Sequence, residues 1–140
     1  MGLGTMGLVM SISGRFIGAA LAGAAAVAML SFPAAADSPL GSYVARLSPQ
    51  DHHASDGYTL DTAAQVVRQD RANWHKFGYG DAEDEDDPWF RSTGARASFE
   101  TMLNKPGAMD QATRRAILKG TPVVRVQVYR NRVRVAIIGY

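Results

Sequence analysis

The 140-residue chain contains no cysteine. That excludes a disulfide framework and a paired-thiolate metal site. It also excludes lipid-anchored export, because no cysteine follows the apolar run near the N-terminus. The HExxH pair of zinc hydrolases is missing as well, and no internal repeat is present. Long hydrophobic runs are scarce too. The one candidate, Phe16 to Leu30, is built mainly from alanine and is followed by Pro33. A spanning helix needs about 20 predominantly apolar residues, so a retained membrane anchor is disfavoured.

What the first segment does have is the layout of an export leader. Arg15 precedes the apolar stretch, Pro33 breaks it, and the small triplet Ala34-Ala35-Ala36 stands before Asp37. This predicts a signal peptide over residues 1–36, cleaved before Asp37, and a periplasmic or secreted product that is not an integral membrane protein after processing. The stretch ahead of Met10 carries no charged side chain, and a start at Met10 gives a better-proportioned leader. Met10 is therefore the expected initiator. An alanine-rich leader without disulfides behind it fits a bacterial envelope.

Processing leaves 104 residues (37–140), the size of one domain and enough to bury a core by packing alone. Charge is partitioned along that domain. Residues 37–90 hold eleven acidic and four basic residues (Arg46, Arg68, Arg71, Lys76), a balance of −7. Residues 91–140 hold two acidic residues (Glu100, Asp110) and ten basic ones, a balance of +8. Such asymmetry points to partners or to the two halves facing each other.

Periodicity predicts an α+β domain: three short-to-medium helices, then a C-terminal antiparallel β-hairpin, with a third strand available at 42–47. Ser48-Pro49-Gln50-Asp51 reads as a short helix start with a reciprocal cap. The next helix is expected from Asp61 to Phe77, capped by Thr59 or Asp61. Its apolar stripe is Ala63, Val66, Val67, Trp74 and Phe77; Asp70, Arg71 and Asn73 fall on the polar flank, with Asp70 close to the stripe. An acidic loop (81–87) leads to Trp89-Phe90. A second helix runs from Ser92 to Leu103 with Ala95, Phe99, Met102 and Leu103 inward. A third follows Asp110 with Ala112, Ala116 and Ile117 inward. In the hairpin, Val124, Val126 and Val128 alternate with polar residues, as do Val133, Val135 and Ile137, around an Arg130-Asn131 turn. The outer face carries Arg125, Arg132 and Arg134.

The stretch from Asp51-His52 to Gly57, the run Arg68-Gln69-Asp70-Arg71-Ala72-Asn73 with His75, and the tail Gly120-Thr121-Pro122 with Val126-Gln127-Val128-Tyr129 resemble a family of small exported proteobacterial proteins. That family has no assigned activity, so the resemblance implies export and no catalytic role.

Three constellations could carry chemistry. His52 or His53 with His75 and Asp70 offers nitrogen and oxygen ligands of the zinc type. Adjacent helical histidines diverge by about 100°, so only one of the first two could join His75. The acids at 81–87 alternate like an EF-hand, but Asp86 stands where the glycine belongs and Ser92 where the glutamate belongs. Nonspecific calcium binding remains open beside a solvated loop, or one docked on the C-terminal arginines. Third, Asp70, Arg71, Asn73 and His75 form a dense polar group. A hydrolase reading makes His75 a base oriented by Asp70 or Asp56, with Ser55 as nucleophile; no nucleophile elbow surrounds Ser55. A structural reading ties the helix to the acidic loop and the hairpin. Arg125, Arg132 and Arg134 suit lipid headgroups, anionic glycans or an acidic protein surface; nucleic acid does not fit an exported product. The residues favour a noncatalytic binding module without a cofactor. A divalent-cation binder and a minor hydrolase are the competing readings.

Overall fold

A computed structural model of the protein describes residues 37–140 together with Gly2. Apart from that glycine, the leader expected over residues 1–36 lies outside the described residues. Three strands, β1 (Gly41–Arg46), β2 (Val123–Val128) and β3 (Val133–Gly139), form an antiparallel sheet in the order β1-β2-β3. Three helices separate β1 from the hairpin: α1 (Ala63–Phe77), α2 (Thr93–Leu103) and α3 (Gln111–Lys119). The α+β reading holds, and so does the N-terminal third strand, which pairs Tyr43 with Val126 and Val44 with Arg125.

Local chemistry sets the helix starts. Asp51 caps a 3₁₀ turn, Pro49–His52, by accepting the amide and hydroxyl of Ser48, with Pro49 at its first position. Thr62, one residue beyond the expected Asp61, accepts the Gln65 amide, and the Gln65 side chain accepts the Thr62 amide in return. Gly78 ends α1 at φ 70°, a left-handed conformation that costs glycine nothing. Ser92 caps α2 through Ala95 N, and Asp110 caps α3 through Thr113 N.

The sheet buries one face. Tyr43, Ala45, Val124, Val126, Val128, Val133 and Val135 join Val66 and Val67 of α1, Phe99 and Leu103 of α2, and Ile117 of α3 in one core. Phe90 sits among them, stacked on Phe99 at 3.9 Å and edge-on to Tyr43 at 6.2 Å. Each such ring contributes about 1.5–3 kcal/mol through burial.

Three inward assignments are corrected. Beyond Val67 the buried face of α1 passes to Asp70, Arg71 and Asn73, while Trp74 is half-buried and Phe77 is exposed, stacked on Tyr79. The cause is the acidic loop, which covers that side of the helix and offers carboxylates rather than an apolar wall. In α2 the guanidinium-bearing Arg96 takes a buried place and Ala95 is half-buried, while Met102 packs on the core as expected. Ala112 of α3 is exposed and only Ile117 is fully buried there.

The acidic loop does not dock on the hairpin arginines. It runs along the free edge of β1: Val44 N donates to Glu85 Oε2 (2.9 Å), Glu85 N donates to Val44 O (2.8 Å), and Arg46 N donates to Asp84 Oδ1 (2.8 Å). An unpaired strand edge invites aggregation, and this loop closes it. On the opposite edge, Val135 N donates to Ala108 O. Among the described residues, no helix is long and apolar enough to cross a membrane.

Candidate functional site: the Arg71 cluster and the basic sheet face

Arg71 has no exposed surface. Its Nε donates to Asp70 Oδ2 (2.7 Å), and its Nη1 donates to Glu85 O (2.9 Å) and Asp87 Oδ2 (3.1 Å). The guanidinium lies 4.2 Å over the Tyr43 ring, so the sheet supplies a π-face to the same cation. Asp87 is the hub. Its Oδ2 faces His75 Nε2 at 2.7 Å, and its Oδ1 accepts the amides of Trp89 and Phe90. Burial works against the Asp87 charge, but His75, the Phe90 amide and Arg71 together hold its carboxyl below the usual range. Burial pushes Asp70 well above that range even though Arg71 pulls it back.

A third buried carboxylate, Asp51, also meets α1. Asp51 accepts Ser48 N (2.9 Å), Ser48 Oγ (3.2 Å) and Asn73 Nδ2 (2.8 Å), and Gln69 in turn donates to Asn73 Oδ1. Burial raises Asp51 to about 6, against those donors. His52 spans from the 3₁₀ turn to α3: Nδ1 is 2.9 Å from Ser48 O and Nε2 is 2.8 Å from Ile117 O. Ile117 O belongs to the last turn of α3, where carbonyls lack helical partners, so His52 acts there as a cap.

These contacts redistribute the expected constellations. His52, His75 and Asp70 each bind a different partner, and among the described residues no group of three or more His, Cys, Asp or Glu is placed to hold a metal ion. Asp87, rather than Asp70 or Asp56, orients His75, and Ser55 lines a separate cleft between α1 and α2. Asp70 and Arg71 do tie α1 to the acidic loop, but their second anchor is Tyr43 of β1 and not the hairpin. Acids of the loop are spent on the protein itself: Glu83 on Arg46, Asp84 and Glu85 on the β1 edge, Asp86 on Trp74 and Arg91, Asp87 on Arg71. Asp87 escaped the sequence reading as an individual. Its signal is the Asp-Pro-Trp-Phe turn, where an aspartate before proline bonds amides two and three residues on.

No protein-family model, curated protein or solved structure matches the chain.

The outer face of the sheet carries exposed arginines. Ser42, Gln127 and Arg134 form one cross-strand row, and Val44, Arg125 and Ala136 the next. Arg125 and Arg134 are therefore diagonal neighbours, and both are exposed. Arg132 stands at the hairpin turn, its guanidinium 3.6 Å over Tyr129 and 3.7 Å from Asp37. Beyond them Ile138 and Tyr140 leave 48% and 88% of their surface exposed. Among the described residues neither Arg125 nor Arg134 has an ion-pair partner.

Proposed function

We propose that the protein is an exported, noncatalytic binding module of the bacterial envelope that sets its arginine-bearing sheet face against an anionic surface. One observation carries this reading: the carboxylates that could neutralise the C-terminal arginines are turned onto β1, Arg71 and Arg91 instead. Arg125 and Arg134 are left side by side, with Arg132 at the turn. Arginines next to exposed Ile138 and Tyr140 suit a lipid headgroup layer, where charge meets phosphate and the apolar groups reach the acyl boundary. The Asp70, Arg71 and His75 group serves this surface indirectly, by holding the acidic loop away from it. Export rests on the leader pattern over residues 1–36 and on the resemblance to small exported proteobacterial proteins.

Co-sedimentation with vesicles containing phosphatidylglycerol tests the surface. Each arginine near an anionic leaflet is worth about 1 kcal/mol, so R125Q/R134Q is expected to weaken binding about thirtyfold, with a steep loss as salt rises. Equal binding to neutral vesicles, or indifference to both salt and the double substitution, overturns the reading. Capture of acidic glycan or protein in place of vesicles would move the partner to another class. Mass spectrometry of the cellular product tests export, which requires Asp37 at the N-terminus.

A further inference from the structure

The cleft between α1 and α2 measures about 310 Å³, near the small end of ligand-binding cavities. Arg68 and Lys76 reach it from α1, Arg96 and Glu100 from α2. Arg96 is unusual. Only 4% of its surface is exposed, yet its contacts are all to neutral oxygens: Nη1 donates to Phe90 O (3.0 Å) and Arg91 O (2.8 Å), and Nη2 lies 3.4 Å from Thr93 Oγ1. Among the described residues it has no ion pair. Buried charges are ordinarily paired. Among the described residues the one carboxylate lining the cleft, Glu100, is already taken by Arg68 at 2.5 Å. Arg96 and Lys76 therefore bring two positive charges to the cleft with no ion-pair partner among the described residues. Burial and the nearby Arg68 charge lower the pKa of Arg96, and the Asp87 charge offsets them only in part. The remaining wall includes Leu60 and Phe77, and the Lys76 ammonium lies 5.2 Å over the Phe77 ring.

We infer that this cleft binds a small oxyanion-bearing ligand, its anionic head on the Arg96 and Lys76 cations and a short hydrocarbon body along the apolar part of the wall. The guanidinium presents N–H groups in a plane that matches a carboxylate or phosphate edge. This site is separate from the sheet face proposed above and does not depend on it.

Titration of the full chain with hexanoate and with inorganic phosphate, followed by amide NMR shifts, tests the inference. Hexanoate is expected to give saturable shifts at residues 68, 76, 96 and 100 in the millimolar range; hexanol, which lacks the charge, should not. Phosphate binding at the same amides would place the affinity in the oxyanion alone, and its failure would assign the site to carboxylates with an apolar body. R68Q/K76Q should weaken hexanoate about tenfold or more. E100Q should tighten it about three- to tenfold, because it removes the competing charge and frees Arg68. A purely structural role for these side chains predicts no such gain. R125Q/R134Q should leave the titration unchanged. Absence of saturable shifts at the cleft with both anions, in wild type and in E100Q, overturns the inference; so does an E100Q variant that binds no more tightly.

Discussion

Arg71 Nη1 and Asp87 Oδ2 meet at 3.1 Å in a setting where neither side chain touches solvent. A pair of this kind is held less by its own attraction than by the cost of breaking it. Desolvation removes most of the Coulombic gain, but deleting one partner strands the other as a buried charge. Asp87 is the costlier one to lose, because it also accepts two backbone amides and holds His75.

D87A is accordingly expected to destabilise the fold by about 3–5 kcal/mol. The neighbouring D86A removes only an exposed contact to Arg91 and a bond from Trp74, and should cost about 1 kcal/mol or less. Urea unfolding of both variants checks the contrast. Equal, small losses would show that the cluster does not organise the loop.

Opposite pKa shifts at Asp51 and Asp87 give stability a maximum in mildly acidic solution. The Asp51 carboxyl, raised by burial from 3.8 to about 6, binds a proton more tightly folded than unfolded. Between those two values the folded state holds more protons, so stability falls as pH rises through about 4 to 6 and recovers as pH is lowered. Asp70 and Asp84, raised by burial, act in the same direction. Asp87 is lowered, so its contribution is present above the unfolded value of 3.8 and is lost as pH falls through its folded value. Urea midpoints should therefore rise from pH 7 to about 5 and drop steeply below about 4. D51N should flatten part of the first slope. A midpoint that climbs steadily from pH 4 to 8 would contradict the Asp51 assignment.

Gly80 holds the indole of Trp74 in place by having no side chain. A Cβ there would stand 2.4 and 2.5 Å from two atoms of that ring. The ring cannot simply swing aside, because its Nε1 donates to Asp86 Oδ1 (2.9 Å) and its face covers the Arg71 guanidinium at 5.5 Å. G80A is expected to displace the indole, break the Asp86 bond and shift Trp74 fluorescence to the red, at a cost of about 1–3 kcal/mol. A W89F background isolates the signal from the second tryptophan. Unchanged emission would show that the loop moves instead.

Local rules made the architecture legible. Alternation in Val124–Val128 and Val133–Ile137 gave the hairpin, and Ser92 and Asp110 marked helix starts because their side chains accept amides that have no helical partner, while Ser48 marked the 3₁₀ turn by giving its amide to Asp51. Gly78 likewise marked the end of α1. The interior of α1 was not legible in the same way. Ala63, Val66 and Val67 project their stripe onto Asp70 and Trp74, and a periodicity argument prefers the tryptophan. The sequence has no local sign that a loop beginning four residues after Phe77 folds back to meet Arg71 with a carbonyl and a carboxylate. Arg96 was hidden for the same reason, since its acceptors are the carbonyls of Phe90 and Arg91. The charge partition was visible, but its consequence was not. Like-sign segments suggested that the halves neutralise each other, whereas much of the acidic loop found partners in the first half, on Arg46, Arg71 and the β1 edge.

Tyr43 offers a test of how the cluster reads its aromatic neighbour. Its ring is fully buried beneath the Arg71 guanidinium and edge-on to Phe90, but among the described residues its hydroxyl has no hydrogen-bond partner. Burial pushes the phenol well above its ordinary pKa, so it stays neutral and contributes no charge to the cation above it. The π-face, which Phe shares, is then what matters to Arg71. Y43F should therefore be neutral or stabilising by up to about 1 kcal/mol, since it removes an unpaired buried hydroxyl and keeps the ring. Y43L keeps comparable bulk but loses the face. It should cost about 1–2 kcal/mol beyond its packing change, and in an R71M background most of that difference should vanish. Chemical denaturation of this double-mutant cycle measures the coupling directly. A Y43F variant destabilised by more than about 1 kcal/mol would mean that the hydroxyl is bonded after all, and that the cation is held through oxygen rather than through the ring.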